Sequence, residues 1–187
     1  MKWSILTISH PSRTVELERI QGILMLQRKQ AELIGDVELV SIVAEGELGE
    51  LRNSLLANAT GEYVNFIDDD DLVAHDYLTT IYQLLDGVDY IGHQLQLYID
   101  GAKQKPTYHS LRYKTWWENA DGYYRHVDPK NPIRRELAML VPFSGGCGED
   151  QRWASDVRQI TQPKTEHYVS RPMYFYFHST KHTLGGC

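Results

Sequence analysis

The first 87 residues alternate between short apolar runs and helical patterns, and this alternation constrains the fold more than any other feature. Apolar, β-branched runs predict three strands, over Trp3 to Ser9, Val37 to Val43 and Tyr63 to Ile67. Apolar residues at helical spacing follow each run and predict three helices, beginning near Val15, Leu48 and Tyr77. Strands that alternate with helices form parallel sheets in right-handed crossovers. We therefore expect an α/β fold with a central, mostly parallel sheet flanked by helices.

The third predicted strand runs directly into four consecutive aspartates, Asp68 to Asp71. Four adjacent carboxylates repel one another, whereas a hard cation such as Mg²⁺ or Mn²⁺ prefers oxygen ligands and is often shared with substrate phosphates. The carboxyl end of a strand is also where open α/β sheets bind ligands. The alternative is an acidic loop that caps the next helix, with Asp71 as its N-cap. We favour the metal site.

The second half has a different pattern, and we expect a smaller sheet and loop region there. Val88 to Ile99 predicts a long strand that ends in a hairpin turn at Asp100-Gly101. Thr107 to His126 is aromatic and charged without a clear period, which predicts an irregular functional loop. Asn131-Pro132 predicts a helix start, because proline is favoured at the first helical position.

Two further elements complete the predicted fold. A glycine-rich loop, residues 144–148, leads into a helix that begins near Glu149, and Tyr168 to His178 predicts a strand interrupted by a proline. The length of 187 residues predicts one domain. Within it the alternating strands and helices of residues 1–87 are typical of a nucleotide-binding half, and residues 88–187 form a second half.

Charge is distributed unevenly along the chain. The whole sequence carries a net charge of −6, which argues against a generic nucleic-acid binder. Residues 101–135, by contrast, contain eight Lys or Arg against three Asp or Glu, a net charge of +5. Neither a membrane-spanning stretch nor a signal peptide is present in the sequence, and the two cysteines, Cys147 and Cys187, lack the pattern of a disulfide framework or metal site. We therefore expect a cytoplasmic protein.

Four motifs in order make the chain resemble the family-2 glycosyltransferases of the GT-A (Rossmann-like) fold over nearly its whole length. They are the first strand with its Pro11-Ser12-Arg13 turn (Ile8 to Arg13), the run from Gly49 through Arg52-Asn53 to Gly61-Glu62-Tyr63, the Phe66 to Asp71 segment, and Gly148-Glu149-Asp150. They are similar, in that order, to the family's nucleotide-side opening, its "G-x-x-x-R-N … A-x-G-E-Y" run, its "F-L-D-x-D-D" metal motif and its late "E-D" motif. The element from His126 to Arg135 is similar to one in small phage and metagenomic relatives; a phage-encoded member would act in the host cytoplasm.

The resemblance implies that residues 1–87 form a nucleotide-sugar-binding half and residues 88–187 an acceptor and catalytic-base half. It also implies a role for each candidate site residue. Asp70 would bind a divalent metal, Mn²⁺ or Mg²⁺, with Asp68 assisting it or holding the ribose, and His178 would return to the metal from the last strand, with His182 as its rival. Asp150, with Glu149 beside it, would be the catalytic base of an inverting reaction. The residues implied to bind the donor, with a UDP-sugar as first choice, are Thr7, Ser9, Arg13, Glu45, Arg52, Asn53 and Asp68. Glu45 replaces the aspartate that reads the base in many members, so the identity of the base stays open.

The expected function is metal-dependent transfer of a sugar from a nucleotide-sugar to an acceptor hydroxyl. Two acceptors stay open. The first is a hydroxymethylated base in DNA, which aromatics would hold while the +5 segment meets phosphates; the small size of the chain and its phage-like element favour it without deciding it. The alternative is a saccharide or lipid-linked sugar, which would stack on the aromatic residues. Two other classes are a nucleotidyltransferase-like enzyme and an inactive nucleotide-sugar-binding module. This chain lacks the glycine-rich phosphate loop that a nucleotidyltransferase would normally have, and the intact Asp68-x-Asp70 and Glu149-Asp150 disfavour an inactive module.

Overall fold

The structure is a computed structural model that describes residues 1–33 and 35–180. Its first half is the predicted alternation of strands and helices. The elements are β1 (Trp3–Ser9), α1 (Thr14–Gln30), β2 (Val37–Val43), α2 (Leu48–Asn58) and β3 (Tyr63–Phe66). Strand β1 lies between the other two and pairs in parallel with both, with Trp3 opposite Val37 on one side and Tyr63 on the other. The three strands therefore end at the same edge of the sheet.

The second half adds strands to this sheet. After β4 (Leu72–Val73) and α3 (Tyr77–Tyr82) come β5 (Tyr90–Ile99), β6 (Ala102–Lys103), β7 (Thr107–His109), β8 (Trp117–Glu118), β9 (Tyr123–Arg125), β10 (Ile133–Arg134), α4 (Arg135–Ala138), α5 (Glu149–Ile160) and β11 (Glu166–His178). The sheet order is β2-β1-β3-β10-β5-β7-β9-β8, and β11 runs parallel to β5. The longest ladders are parallel, as predicted for the α/β class.

The core lies on both faces of the sheet because side chains alternate along each strand. Trp3 and Ile5 of β1 pack with apolar residues of α1 and α3 on one face. Leu6 packs on the opposite face with a cluster that includes Leu55 of α2 and Trp153 of α5. Burial on both faces explains why β1 is an almost continuous apolar run rather than an alternating one.

Two predictions for the second half were wrong or incomplete. Pro132 does not open a helix, because Ile133 and Arg134 form β10, which pairs antiparallel with β3 and β5. The helix α4 begins only at Arg135. The segment from Thr107 to His126 is also more regular than predicted, since it contributes β7, β8 and β9.

The hairpin after β5 is confirmed. Ile99 pairs with Ala102 across a two-residue turn, and both Asp100 and Gly101 have positive φ angles, of 48° and 80°. That conformation belongs to the tight turns whose twist matches antiparallel strands. The proline-interrupted strand is also confirmed, because the pairing of β11 with β5 shifts register on either side of Pro172.

No helix among the described residues is long and apolar enough to cross a membrane.

Candidate functional site

The aspartate loop, Asp68 to Asp71, continues from β3 at the edge where β1 and β2 also end. Its second carboxylate, Asp69, is buried and accepts hydrogen bonds from Ser9 Oγ at 2.6 Å and from Arg13 Nη1 at 3.0 Å. The same Arg13 nitrogen donates to Asp70 Oδ2 at 2.8 Å. The first strand and its Pro11-Ser12-Arg13 turn therefore hold two of the four aspartates.

Asp71 is held from the opposite side by β11. Its carboxylate accepts hydrogen bonds from the Tyr174 hydroxyl at 2.6 Å and from the Phe177 backbone N–H at 2.9 Å. The Tyr174 hydroxyl in turn accepts the Asp68 backbone N–H at 3.1 Å. Asp71 is not a helix N-cap, because α3 begins six residues later at Tyr77. Its role is to fasten the loop to the last strand.

Asp68 is paired with two buried cations. Lys130 Nζ lies 2.8 Å from its Oδ2, and Arg52 Nη2 lies 3.7 Å from its Oδ1. Burial by itself would raise the pKa of Asp68, but the charges of Lys130 and Arg52 outweigh burial and lower this pKa to about 2. Asp68 is therefore an anion at any physiological pH.

Lys130 is the site residue that the sequence analysis missed. Its side chain is buried, and burial by itself would lower its pKa, but the charges of Asp68 and Asp128 outweigh burial and raise this pKa. The ammonium group also lies 5.4 Å from the Tyr176 ring centroid. In the sequence, Lys130 is one of eight basic residues in segment 101–135. Nothing in the local pattern distinguishes a lysine that turns inward from one that faces solvent.

Arg52 joins the aspartate loop to the Glu149-Asp150 pair. Its Nε donates to Glu149 Oε1 at 3.0 Å, while its Nη2 faces Asp68. The guanidinium also lies over the Phe66 ring, 4.6 Å from the centroid. Arg52 Nη1 is buried, and among the described residues it has no hydrogen-bond partner. A buried donor without a partner is costly, so Nη1 is available to an oxygen of a ligand.

Asp150 lies in the first turn of α5, close enough for its charge to raise the pKa of Arg52, after the larger effects of burial, Asp68 and Glu149. Its side chain is half-buried, and Oδ1 accepts the backbone N–H of Gln151 at 2.7 Å. Glu149, by contrast, is only 4% exposed and is bound to Arg52. Of the two acids, Asp150 is therefore the one accessible to a substrate.

The other residues predicted to bind the nucleotide-sugar do not lie together. Thr7 is buried in β1, and Glu45 is exposed, with His10 Nε2 at 3.4 Å from its Oε1. Asn53 exchanges two hydrogen bonds with the backbone of Phe143, at 2.9 and 2.8 Å. The structure thus uses Asn53 to hold the loop before α5 and does not bring it to the aspartates.

His178 lies on the face of β11 that carries Tyr174 and Tyr176, since residues two apart share a face. Its ring centroid is 6.4 Å from that of Tyr176. Within the part of the chain that the structure describes, its side chain makes no hydrogen bond or ion pair with the aspartate loop. The rival His182 lies outside the described residues.

The carboxylate oxygens of Asp68 and Asp70 fit a divalent cation that also takes ligands from a substrate. Asp68 and Asp70 offer carboxylate oxygens, and burial together with the charge of Asp68 raises the pKa of Asp70. A cation would relieve this repulsion between carboxylates. In residues 1–33 and 35–180, no group of three or more His, Cys, Asp or Glu is placed to hold a metal. The two carboxylates therefore suit an ion that takes its other ligands from water and phosphate.

The basic residues of segment 101–135 are largely engaged within the protein. Lys130 pairs with Asp68, and Arg134 pairs with Glu62 at 2.8 Å. Lys105 lies 3.6 Å from Glu118, and Arg125 lies over the Trp116 ring at 4.7 Å. The +5 charge of this segment is consequently not a continuous surface patch.

Aromatic residues of the same segment form a stack on the outer strands. The Tyr124 ring lies between Trp117 and Tyr108, with centroid distances of 3.9 and 5.1 Å. Tyr113 packs edge-on against Tyr124 at 5.3 Å. Trp117, at the end of this stack, is 44% exposed. The stack therefore presents a fixed aromatic surface to solvent.

Comparison with solved structures finds the same fold in chains of low sequence identity. The crystal structure of S. aureus TarS 1-349 matches with a TM-score of 0.63 and 16% identity, covering 95% of this chain and 60% of that one. The same protein in complex with UDP-GlcNAc matches with a TM-score of 0.63 and 15% identity, covering 95% and 58%. A197 from STIV matches with a TM-score of 0.50 and 16% identity, covering 91% and 82%.

These likenesses show the fold, and the chain spans 60% or less of the length of the TarS structures. A comparison with curated proteins gives no match. The family model described as "Glycosyl transferase family 2" matches residues 27–142, which is more than half of the chain. The chain belongs to glycosyl transferase family 2.

Proposed function

We propose that this protein transfers a sugar from a nucleotide-sugar to an acceptor hydroxyl. The observation that carries the proposal is the ionic connection from Asp68 through Arg52 to Glu149, because it joins the aspartate loop to the acid pair that begins α5. The family membership supports the same reaction. The structure of TarS in complex with UDP-GlcNAc supports a UDP-sugar as the donor to test first.

The donor would bind at the strand edge that carries Arg13, Arg52 and the aspartate loop. A divalent metal, when bound through Asp70 and Asp68, would neutralise the charge of the diphosphate leaving group. The unpartnered Arg52 Nη1 supplies a donor for a phosphate or ribose oxygen. Arg13, which bridges Asp69 and Asp70, keeps their carboxylates in place. We also propose Ser9 and Thr7 as residues that line this end of β1.

Asp150 would act as the base. It would take the proton of the acceptor hydroxyl as that oxygen attacks the anomeric carbon, while the bond from this carbon to the diphosphate breaks. Attack opposite the leaving group inverts the anomeric configuration. Glu149 is bound to Arg52, so it positions the base and the aspartate loop relative to each other. A general base contributes about 10² to 10⁴-fold to a rate.

For the acceptor, the described contacts favour a saccharide over DNA. The stack that ends at the exposed Trp117 offers a flat apolar surface of the kind that packs on sugar rings. A DNA acceptor would require a row of free cations for successive phosphates, yet four of the eight basic residues in segment 101–135, namely Lys105, Arg125, Lys130 and Arg134, already have partners within the protein. A lipid-linked sugar would present the same sugar surface to this stack.

Donor turnover tests the reaction and the base together. Wild-type protein is incubated with Mn²⁺ and each of UDP-, GDP-, CMP- and dTDP-sugars, and release of the nucleotide is measured. We expect one donor to turn over, and Asp150→Asn to lower the rate by about 10² to 10⁴-fold with donor affinity retained. Asp156→Asn, an exposed aspartate of the same helix, is the control. A wild-type rate in Asp150→Asn would show that the base is a different residue.

The metal assignment is tested by titrating Mn²⁺ against donor binding. We expect Asp70→Asn to raise the half-saturating Mn²⁺ concentration by about tenfold or more, since loss of even outer-shell partners has effects of that size. Asp156→Asn again serves as control. An unchanged titration would remove Asp70 from the metal site.

The competing classes give different results in the same assays. An inactive module would bind a nucleotide-sugar without releasing the nucleotide. A nucleotidyltransferase would release pyrophosphate from a nucleoside triphosphate. A DNA acceptor would show binding that weakens steeply with added salt, because phosphate contacts release counterions. A flat salt response would exclude the DNA acceptor.

A further inference from the structure

A cleft of about 520 Å³ lies beside the segment that leads to Lys130 and does not include the aspartates. Its polar lining comes from three parts of the chain. Lys114 belongs to the loop before β8, His126 follows β9, and Arg158, Gln159 and Gln162 come from the end of α5 and the turn after it. The volume lies within the range of small-molecule sites, so this cleft is large enough for one or two sugar units.

The charged side chains that line the cleft are both cations. They are Lys114 and Arg158, and neither makes an ion pair or a side-chain hydrogen bond in residues 1–33 and 35–180. The nearby acids do not line the cleft, because Glu166 is turned to Ser110 and Leu111, from which it accepts hydrogen bonds, and Asp128 lies 3.7 Å from His109 Nε2. Two free cations that converge from different segments select for an anion.

Arg158 by itself does not indicate a binding site. It lies in the last turn of α5, where the helix dipole favours a cation whether or not a ligand binds. The helix dipole does not explain the position of Lys114, because Lys114 lies on a loop and lines the same cleft from a different segment. The convergence of the two residues is therefore the feature that indicates a site.

His126 provides an independent indication of a ligand. The residue is only 7% exposed, and its Nδ1 has no hydrogen-bond partner among the described residues. Burial, reinforced by the charge of Arg158, lowers the pKa of His126 to about 4, so the ring is neutral near pH 7. The neighbouring Trp116, whose ring centroid lies 6.0 Å away, also has a buried ring nitrogen without a partner in the described part of the chain. Buried polar atoms are rarely left unpaired, and His126 lines the cleft, so a hydroxyl-bearing ligand there would satisfy its Nδ1.

We propose that this cleft is an acceptor subsite for an anionic saccharide, in which Lys114 and Arg158 bind a phosphate or carboxylate group. Gln159, Gln162 and His126 would bind the sugar hydroxyls. This inference rests on the proposed glycosyl transfer and names the acceptor class. Arg158 is eight residues from Asp150 on α5, about 12 Å along the helix at about 1.5 Å per residue. A short extended saccharide could therefore reach from the base to the cleft.

Direct binding tests the subsite without requiring turnover. The probes are glucose 6-phosphate, glucuronate, glucose and inorganic phosphate, and affinities are measured by calorimetry or NMR titration at low salt. We expect glucose 6-phosphate and glucuronate to bind at least about tenfold more tightly than glucose, since charge-assisted hydrogen bonds differ from neutral ones by about this factor. Glucose 6-phosphate should also bind more tightly than phosphate, because the amides and His126 add contacts to the sugar.

Paired charge substitutions locate the site. The double variant Lys114→Gln/Arg158→Gln should weaken glucose 6-phosphate binding by about tenfold or more. The control Lys29→Gln/Lys103→Gln removes two exposed lysines elsewhere and should bind as wild type does. Circular dichroism checks that all variants are folded. Any one of three results would overturn the subsite. The protein could bind glucose as tightly as glucose 6-phosphate, or phosphate as tightly as glucose 6-phosphate. The third such result is wild-type affinity in the Lys114→Gln/Arg158→Gln variant.

Different results would contradict the proposed glycosyl transfer and the proposed acceptor subsite. Anion-selective saccharide binding without turnover of any nucleotide-sugar would overturn glycosyl transfer and leave a saccharide-binding cleft. Turnover of a donor without anion-selective binding would overturn the subsite and leave the enzyme.

Discussion

At the residue scale, the central feature of the site is a buried lysine that forms an ion pair with a partly exposed aspartate. Lys130 is 7% exposed and lies 2.8 Å from Asp68, a residue far earlier in the chain. Taking two charges out of water is costly, and their attraction offsets this only when the geometry is good and both partners are present. Replacing one partner of the pair therefore destabilises the protein much more than replacing both.

We predict that Lys130→Met lowers the free energy of unfolding by about 1 to 3 kcal/mol, because the Asp68 carboxylate, whose side chain is 29% exposed, loses one of its two cations and keeps only Arg52. Asp68→Asn/Lys130→Met should recover most of that loss. Urea denaturation of both single variants and the double variant measures the coupling. Lys29→Met, an exposed lysine on α1, is the control. Effects that simply add would show that the two side chains do not interact.

At the element scale, one glycine sets how closely β3 can approach β1. Gly61 precedes β3, and its N–H donates to Ser4 Oγ at 2.8 Å. A Cβ at this position would lie 2.6 Å from the backbone nitrogen of Ser4. The glycine of the "A-x-G-E-Y" motif is therefore required by packing, and it places the strand that carries the aspartate loop.

We predict that Gly61→Ala destabilises the protein by about 1 to 3 kcal/mol, the usual cost of overpacking a core. Gly22→Ala is a matched control in α1, where a Cβ would meet no atom within 4 Å. It should stabilise the protein by about 0.5 to 1 kcal/mol through its higher helix propensity. Thermal or urea unfolding compares the two variants. Equal effects would mean that Gly61 is not limited by the approach of β1.

The other elements around the site show why local pattern was sufficient in some places and not in others. β1 has the predicted bounds because burial on both faces produces an apolar run that the sequence displays directly. β2 also has the predicted bounds, although it is an edge strand in which only Val37 is buried. β10 was predicted as helix because a proline suits both a helix start and a strand start. Its two residues become a strand because they fill the gap between β3 and β5.

At the scale of the whole molecule, several histidines are buried in their neutral form. Burial lowers the pKa of His93 to about 3 and that of His126 to about 4, and it also lowers that of His109. An unfolded chain binds protons at these positions near pH ~6.5. The stability they contribute is therefore complete above about pH 6.5 and is lost as the pH falls towards the lowered pKa values.

We predict that the free energy of unfolding falls by about 2 kcal/mol for each of His93 and His126 between about pH 7.5 and pH 5. His93→Phe removes one titrating group from the core and should reduce the slope of stability against pH in this range. His75→Gln replaces a histidine with a 94% exposed side chain and serves as control. Urea denaturation at several pH values gives the slopes. An unchanged slope in His93→Phe would show that His93 does not contribute to it.

The sequence by itself determined the α/β class, the order of the first five elements and the residues that form the two acidic parts of the site. Those features depend on periodicity and on neighbouring residues, which a linear pattern contains. Only the tertiary structure decided which charges meet. Lys130 pairs with Asp68 and Arg52 joins Asp68 to Glu149, because the order of strands in the sheet brings together residues far apart in the chain. The desolvation that makes these pairs strong is likewise a property of the folded core and of no local segment.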